Sequence, residues 1–225
     1  MDSDFNFVKS IGSEYNLYSL ESIEVDNNKN IFVLDKWNNK VSKIDSDLNL
    51  VNEFGGLSLP NDISLDDYGN LYIADSGNNR ILKLDNNLNF LESIGTNYPT
   101  YLTVDSYKNI YSSYVNKINI FDEDLQFSNE IEVYSTASHS ITSVGAEGEF
   151  LFLTSKWMQK SGGILKRYLK IYKEDKLLEL NILEGADLLS PKEHNFPLGK
   201  FEFYGGDIYL ADKGNDRLLI IKIEK

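Results

Sequence analysis

The sequence repeats itself with a period of about 40 residues. Residues 57–95 align with residues 17–55 at an offset of 40, so that NLYIADSGNNRILKLD (70–85) lies over NIFVLDKWNNKVSKID (30–45). The same motif returns near the end of the chain as DIYLADKGNDRLLIIK (207–222). Short β-rich units that recur at this period are typical of β-propeller blades. The repeat therefore predicts an all-β fold built from one kind of unit.

Each repeat contains four short apolar segments, which we name strands a to d. In the second repeat they are predicted at Asn61–Asp66, Leu71–Asp75, Arg80–Asp85 and Phe90–Ile94. The segments are rich in Ile, Leu, Val and Tyr, and turns rich in Asn, Asp and Gly separate them, which is the pattern of antiparallel strands. Each unit is thus expected to be a four-stranded antiparallel blade.

Five such units account for the chain. The predicted blades are 17–55, 57–95, 98–132, 138–183 and 196–225, the last completed by residues 5–11. The N-terminal DSDFNFVKSIG copies DSDLNLVNEFG at the end of the first blade, so it would supply the strand d that the fifth blade lacks. Such a pairing of the two chain ends removes an open sheet edge. We predict one domain, residues 1–225, that is a closed five-bladed β-propeller and a complete chain.

The core of the second repeat resembles the NHL repeat family. The segment Pro60–Ile81 reads PNDISLDDYGNLYIADSGNNRI, and blades one and five share the pattern more closely than blades three and four. The resemblance implies a β-propeller, in a family where six blades are usual. A sixth blade would have to come from residues 134–195, which hold a single b–c core.

Composition narrows the class of protein. The chain has 22 Lys and Arg against 35 Asp and Glu, a net charge of −13, and it has no cysteine. An acidic surface repels phosphate backbones, so nucleic acid is not the expected partner. No apolar run reaches the 18 residues of a membrane span, and the acidic N-terminus lacks the features of a signal peptide. We therefore expect a soluble, cytoplasmic protein that does not bind a membrane.

Aspartates recur at the end of strand b, each followed five positions later by a basic residue. The pairs are Asp35 with Lys40, Asp75 with Arg80, and Asp212 with Arg217. Because they recur blade by blade, we interpret them as structural groups that bind their own b–c turn and not as catalytic carboxylates. The acidic a–b and c–d turns are likewise interpreted as solvated turns, since none has the twelve-residue pattern of a Ca²⁺ loop.

Two positions near the predicted channel resemble a metal site of other propellers. Glu21 and Asn61 align at the start of strand a, as do the acidic residue and amide that hold a divalent metal in gluconolactonase-like lactonases. In this chain Thr100 and Ser140 stand where that resemblance implies further ligands. The resemblance therefore implies a metal-assisted enzyme only as an alternative.

The two histidines of the chain, His139 and His194, precede strand a in blades four and five, in predicted d–a loops. With Glu21 and Asn61 they are the candidate ligands for Ca²⁺ or Zn²⁺. Amidoglycolate lyases, which are also NHL-like, use three histidines for their metal, and this chain has two.

Aromatic and basic residues are predicted to gather on the channel face. Trp37 and Trp157 both follow strand b, and the segment 155–176 carries seven basic and two acidic residues, a charge of +5. Such a composition is typical of a contact surface. The other residues placed on this face are Tyr15, Tyr18, Tyr98, Tyr101, Met158, Lys160 and Phe196.

These observations favour a binding module without a catalytic residue or cofactor. Its channel face would contact a protein, a peptide or a small ligand. The residues predicted to make the contact are Glu21, Trp37, Asn61, Tyr101, His139, Trp157, Lys160 and His194. The alternative is a metal-dependent lactonase or lyase at the same channel mouth.

Overall fold

The structure is a computed structural model that describes residues 13–133, 139–147, 150–158, 164–173, 176–178, 201–204, 207–212 and 217–222. Nearly all regular structure in these ranges is β-strand. Short 3-10 helices occur at Ser13–Tyr15 and Ser76–Asn78. Within the described ranges, no helix has the length and apolar character that a membrane crossing requires.

The strands follow one another with short turns. They are β1 (Leu20–Val25), β2 (Ile31–Asp35), β3 (Lys40–Ile44), β4 (Leu50–Phe54), β5 (Asp62–Leu65), β6 (Leu71–Asp75), β7 (Arg80–Leu84), β8 (Phe90–Gly95), β9 (Leu102–Val104), β10 (Ile110–Tyr114), β11 (Lys117–Phe121), β12 (Phe127–Glu132), β13 (His139–Glu147), β14 (Phe150–Met158), β15 (Ile164–Lys173), β16 (Lys176–Leu178), β17 (Phe201–Tyr204), β18 (Asp207–Asp212) and β19 (Arg217–Lys222).

The strands form antiparallel sheets in chain order. Sheets one to four each contain four strands, β1–β4, β5–β8, β9–β12 and β13–β16, and sheet five contains β17–β19. The first strands of successive sheets contact each other in the order β1, β5, β9, β13 and β17. Strand a of each repeat therefore lies on the inside of the arrangement, as in a propeller.

The second repeat folds close to its predicted boundaries. Strand b is β6 (Leu71–Asp75), as predicted, and each of the other three strands differs from the prediction by one residue at one or both ends. In sheet three the b–c turn has two residues, 115–116, where sheet one has four, 36–39. In sheet four, β14 and β15 have nine and ten residues, whereas strands b and c of sheets one to three have five each.

The core lies between neighbouring sheets. Between sheets one and two, Phe32, Leu34 and Val41 pack with Ile63 and Ile73, and all five are buried. Similar clusters join sheets two and three and sheets three and four. Because alternate residues of a strand point to opposite faces, strands b and c contribute to the cores on both sides of their sheet.

The acidic turns are held by their own aspartates. In each turn one carboxylate oxygen accepts hydrogen bonds from the backbone N–H groups two and four residues later. These aspartates are Asp26, Asp45, Asp66, Asp85, Asp105 and Asp122. The residue three positions after each aspartate has a left-handed backbone, with φ between 53° and 82°. These aspartates therefore bind their own turns, but Asp66 and Asp105 are buried and so are not solvated as predicted.

Two predicted positions require correction, and others lie outside the described residues. Trp157 belongs to β14 and His139 begins β13, where they are cross-strand partners, so neither lies in a loop as predicted. The sequence pattern placed them wrongly because β13 and β14 extend past the usual blade length. Lys160, His194 and the N-terminal strand at 5–11 are outside the described residues.

Candidate functional site

The candidate site lies at the end of the sheets that carries the b–c turns. We call this end the channel face; in sheets one to three it comprises the b–c turns 36–39, 76–79 and 115–116 and the segments before strands a, 13–19, 55–61 and 96–101. Of the predicted site residues with described side chains, Trp37, Asn61 and Tyr101 lie in these segments, and Glu21 lies next to them as the second residue of β1.

A fully buried carboxylate organises this end of sheet one. Asp35 ends β2 and accepts hydrogen bonds from the backbone N–H groups of Tyr18 at 2.9 Å and Trp37 at 3.1 Å. The backbone N–H and side-chain amide of Asn38 donate to the same carboxylate. Asp35 thus fixes the b–c turn against the chain segment that enters β1, as its structural interpretation required.

The equivalent Asp75 makes the predicted ion pair, whereas Asp35 does not. Arg80 Nε donates to Asp75 at 2.6 Å. In sheet one, Lys40 instead pairs with Glu53 on the neighbouring β4, so the predicted Asp35–Lys40 pair is wrong. The reason is that Asp35 is already saturated by donors from its own turn and from the segment before β1.

Two of the residues whose backbone N–H groups donate to Asp35, Tyr18 and Trp37, have exposed aromatic side chains. Trp37 is 77% exposed and Tyr18 is 69% exposed. Their repeat equivalents in sheet two are Gly77 and Ser58, where a Cβ on Gly77 would approach the Ser58 Oγ to 2.4 Å. The turn therefore folds without aromatic residues, which shows that the core does not require Trp37 and Tyr18.

A chain of polar contacts crosses the channel face through three sheets. The Lys36 ammonium lies 2.6 Å from Asn61 Oδ1 and 3.6 Å from Glu21 Oε1. The Asn61 amide donates to Ser76 Oγ at 2.6 Å, and the buried Ser76 hydroxyl donates to the carbonyl of Pro99. Glu21 and Asn61 thus lie on either side of the Lys36 ammonium.

This lysine bears on the metal hypothesis. A bound divalent cation at Glu21 and Asn61 would have to displace the ammonium or withstand its repulsion. Among the side chains that the structure describes, no group of three His, Cys, Asp or Glu lies together as metal ligands would. The side chains of His139 and His194 are outside the described residues.

A second buried carboxylate, Asp62, joins the inner strands. It accepts hydrogen bonds from Ser22 Oγ at 2.7 Å and from the backbone N–H of Leu102 at 3.1 Å, so it links β1, β5 and β9. Tyr101 is half-buried beside it; burial and then the charges of Asp62 and Glu21 raise the pKa of its hydroxyl. Tyr101 therefore stays a neutral hydrogen-bond donor at physiological pH.

We expect the free energy of unfolding to fall at acidic pH as the Asp35 carboxylate becomes protonated. Burial acts to raise its pKa, but the hydrogen bonds from Tyr18 and Asn38 outweigh this and hold the pKa below its usual value. A depressed folded-state pKa contributes stability above the unfolded-state pKa of about 3.9, and this is lost as the pH falls through the folded-state value. Urea denaturation from neutral pH downward is expected to show a smaller decline for Asp35→Asn than for wild type; equal declines would contradict this assignment.

Comparison with known proteins agrees with the repeat and the fold. The NHL repeat model matches residues 57–84, which confirms the resemblance in the second repeat. A streptogramin B lyase superimposes with a TM-score of 0.59 at 11% identity, over 92% of this chain and 84% of that chain. A catalytically inactive virginiamycin B lyase from Staphylococcus aureus with quinupristin gives 0.63 at 12% identity, over 91% and 66%.

A third match, hydrazine synthase from Kuenenia stuttgartiensis, has a TM-score of 0.59 at 12% identity and covers 96% of this chain and 78% of that chain. None of the curated proteins compared with the chain matches its sequence. At identities this low, the shared property is the propeller-like fold.

Proposed function

Because the chain carries an NHL repeat on a propeller-like fold, we propose that it is a non-catalytic binding module. Its channel face contacts a protein or peptide partner, and Tyr18 and Trp37 are the main contact residues. The polar chain from Glu21 through Lys36 to Asn61 lies on the same face and orients the partner.

The observation that carries this proposal is the exposure of Trp37 and Tyr18. Both side chains are large and mostly in water, yet both backbones are fixed by the buried Asp35. Aromatic residues held on a rigid turn lose little entropy on binding and dominate the energy of many interfaces. Leu59 and Tyr98, also exposed on the channel face, extend the apolar surface.

The alternative is a metal-dependent lactonase or lyase at the channel mouth. Two solved structures with this fold are lyases, but at 11–12% identity the likeness does not carry their activity to this chain. The Lys36 ammonium between Glu21 and Asn61 favours binding over metal catalysis.

We also propose that the five sheets form a closed ring, in which sheet five covers the exposed apolar face of β1. Ile63 of β5 is 1% exposed because sheet one packs on it, whereas its repeat equivalent, Ile23 of β1, is 56% exposed. Val25 is exposed on the same face. A propeller closes by covering this apolar face, and we assign that role to β17–β19 together with residues 5–11.

The double variant Tyr18→Ser, Trp37→Ala tests the binding function. We expect it to capture the partner from an extract of the source cells at least about tenfold less well than wild type, since losing an aromatic anchor typically costs 1–2 kcal/mol or more. The comparison is quantitative mass spectrometry of affinity-captured proteins. Tyr107→Ala is the matched control, because Tyr107 is an exposed aromatic in the a–b turn at the opposite end.

Equal recovery of every captured protein by the double variant and the wild type would contradict the proposal. A metal that copurifies with the wild-type protein and is lost on Glu21→Ala would instead support the enzyme alternative.

A further inference from the structure

A groove of about 460 Å³ lies between sheets two and three; it borders the channel face at Asn79, Thr96 and Asn97 and is not lined by Trp37 or Tyr18. Its lining residues are Asn79, Ile94, Gly95, Thr96, Asn97, Asn119, Phe121 and Phe127. This volume falls within the range of small-molecule sites in proteins.

The groove is open because three side chains differ from those of the neighbouring repeat. The equivalent space between sheets one and two is filled by buried or half-buried apolar residues of one core cluster. At the interface of sheets one and two these positions hold Phe54, Leu57 and Leu82. At the interface of sheets two and three they hold Ile94, Asn97 and Asn119, in the same order. At this place the interface of sheets one and two is filled by apolar side chains, whereas the interface of sheets two and three has a groove with polar lining beside its apolar core.

The lining carries no ionisable side chain, although blades one to three are strongly acidic. Asn119 Nδ2 donates to Thr96 Oγ1 at 3.3 Å, and Asn79 Oδ1 accepts from the Tyr98 backbone at 3.1 Å. These bonds leave the Asn119 carbonyl oxygen, the Thr96 hydroxyl proton and the Asn79 NH₂ group available to a ligand. Asn97 adds a complete amide. The groove thus presents donors and acceptors without charge.

One wall of the groove is aromatic. Phe127 is 59% exposed, and its ring meets the buried Phe121 edge to face, with centroids 6.0 Å apart and an interplanar angle of 76°. The contact holds Phe127 at a fixed angle. The negative face of an aromatic ring attracts C–H groups, so this wall suits a ring that carries them.

We propose that this groove binds a neutral saccharide. Hydroxyl groups donate and accept hydrogen bonds, as amides do, and the C–H groups of a pyranose pack on an aromatic ring. A charged ligand would find no counter-charge among the lining residues. The groove borders the channel face at Asn79, Thr96 and Asn97, but neither Trp37 nor Tyr18 lines it.

Saturation-transfer NMR with maltose, cellobiose and N,N′-diacetylchitobiose as probes tests this site. We expect at least one of them to receive saturation from the wild-type protein. The variant Asn97→Leu, Asn119→Leu copies the residues of the filled interface, and it is expected to bind about tenfold less well because ligand hydrogen bonds are lost and the space is filled. Asn87→Leu, at an exposed turn asparagine outside the groove, is the control and keeps wild-type binding.

Phe127→Ala gives a second measurement that does not depend on core packing, since this ring is largely exposed; it is also expected to reduce binding. Trp37→Ala is expected to leave saccharide binding unchanged, which separates this site from the proposed partner contact at Trp37. The proposal is overturned if none of the three saccharides binds the wild type, or if the groove variants bind as well as the control. Binding of a capped neutral peptide in place of any saccharide would also overturn it.

Discussion

Replacement of Asp35 by alanine is expected to lower the free energy of unfolding by about 3 kcal/mol. The carboxylate is fully buried and accepts backbone hydrogen bonds from Tyr18, Ser19, Trp37 and Asn38. Each buried donor left without an acceptor costs about 1–3 kcal/mol, and turn groups that reach water recover part of this loss. The same change is expected to loosen both exposed aromatic residues.

Urea denaturation of wild type, Asp35→Ala and Asp67→Ala measures this effect. Asp67 lies in the a–b turn of sheet two and is exposed, so its replacement is expected to change the stability by no more than about 0.5 kcal/mol. Equal midpoints for all three proteins would show that Asp35 does not organise the turn.

Replacement of Phe32 by alanine is expected to cost about 3–5 kcal/mol. Phe32 is fully buried between sheets one and two, and the Lys43 ammonium lies 5.4 Å from its ring centroid. The truncation leaves a cavity that the surrounding strands fill only in part. Phe90→Ala is the control, because Phe90 is an exposed phenylalanine at the start of β8. A loss of stability for Phe90→Ala as large as that for Phe32→Ala would contradict the assignment of the core.

The strands could be predicted because the same pattern of apolar runs and turn residues recurs in several repeats. Turn residues bound every apolar run, and the same aspartate begins the a–b turn in sheets one to three, so β6 and its neighbours agree with the prediction within two residues. The prediction was less accurate in sheet four, where β14 and β15 exceed the repeat length and Trp157 lies within a strand.

Contacts between blades were harder to predict than the blades themselves. Lys36 contacts Asn61 across 25 residues, and Asp62 contacts Ser22 across 40. No local pattern marks such pairs, although the offset of 40 is the repeat period and indicates that equivalent inner-strand positions meet. The sequence pattern placed Trp37 after strand b, and the structure has it in the b–c turn, 77% exposed.

The groove between sheets two and three was not visible in the sequence because it arises where side chains are smaller than their repeat equivalents at the neighbouring interface. Asn119 and Asn97 are ordinary polar residues in the sequence. Only their equivalence to Leu82 and Leu57 in the neighbouring interface shows that apolar packing is absent there. Alignment of the repeats with one another is the signal that would have found it.

Cysteine cross-linking tests ring closure most directly, since the chain has no cysteine of its own. Glu24, Ser64 and Glu202 are equivalent inner-strand positions, each paired with an aromatic residue of strand b. The control pair Glu24→Cys, Ser64→Cys joins neighbouring sheets one and two and is expected to form an intramolecular link with a short bismaleimide.

We expect Glu24→Cys, Glu202→Cys to link within one chain as efficiently as the control pair, because sheets one and five are neighbours in a closed five-bladed ring. A link in the control pair, together with either no link or only links between chains in the test pair, would contradict closure and the five-bladed ring.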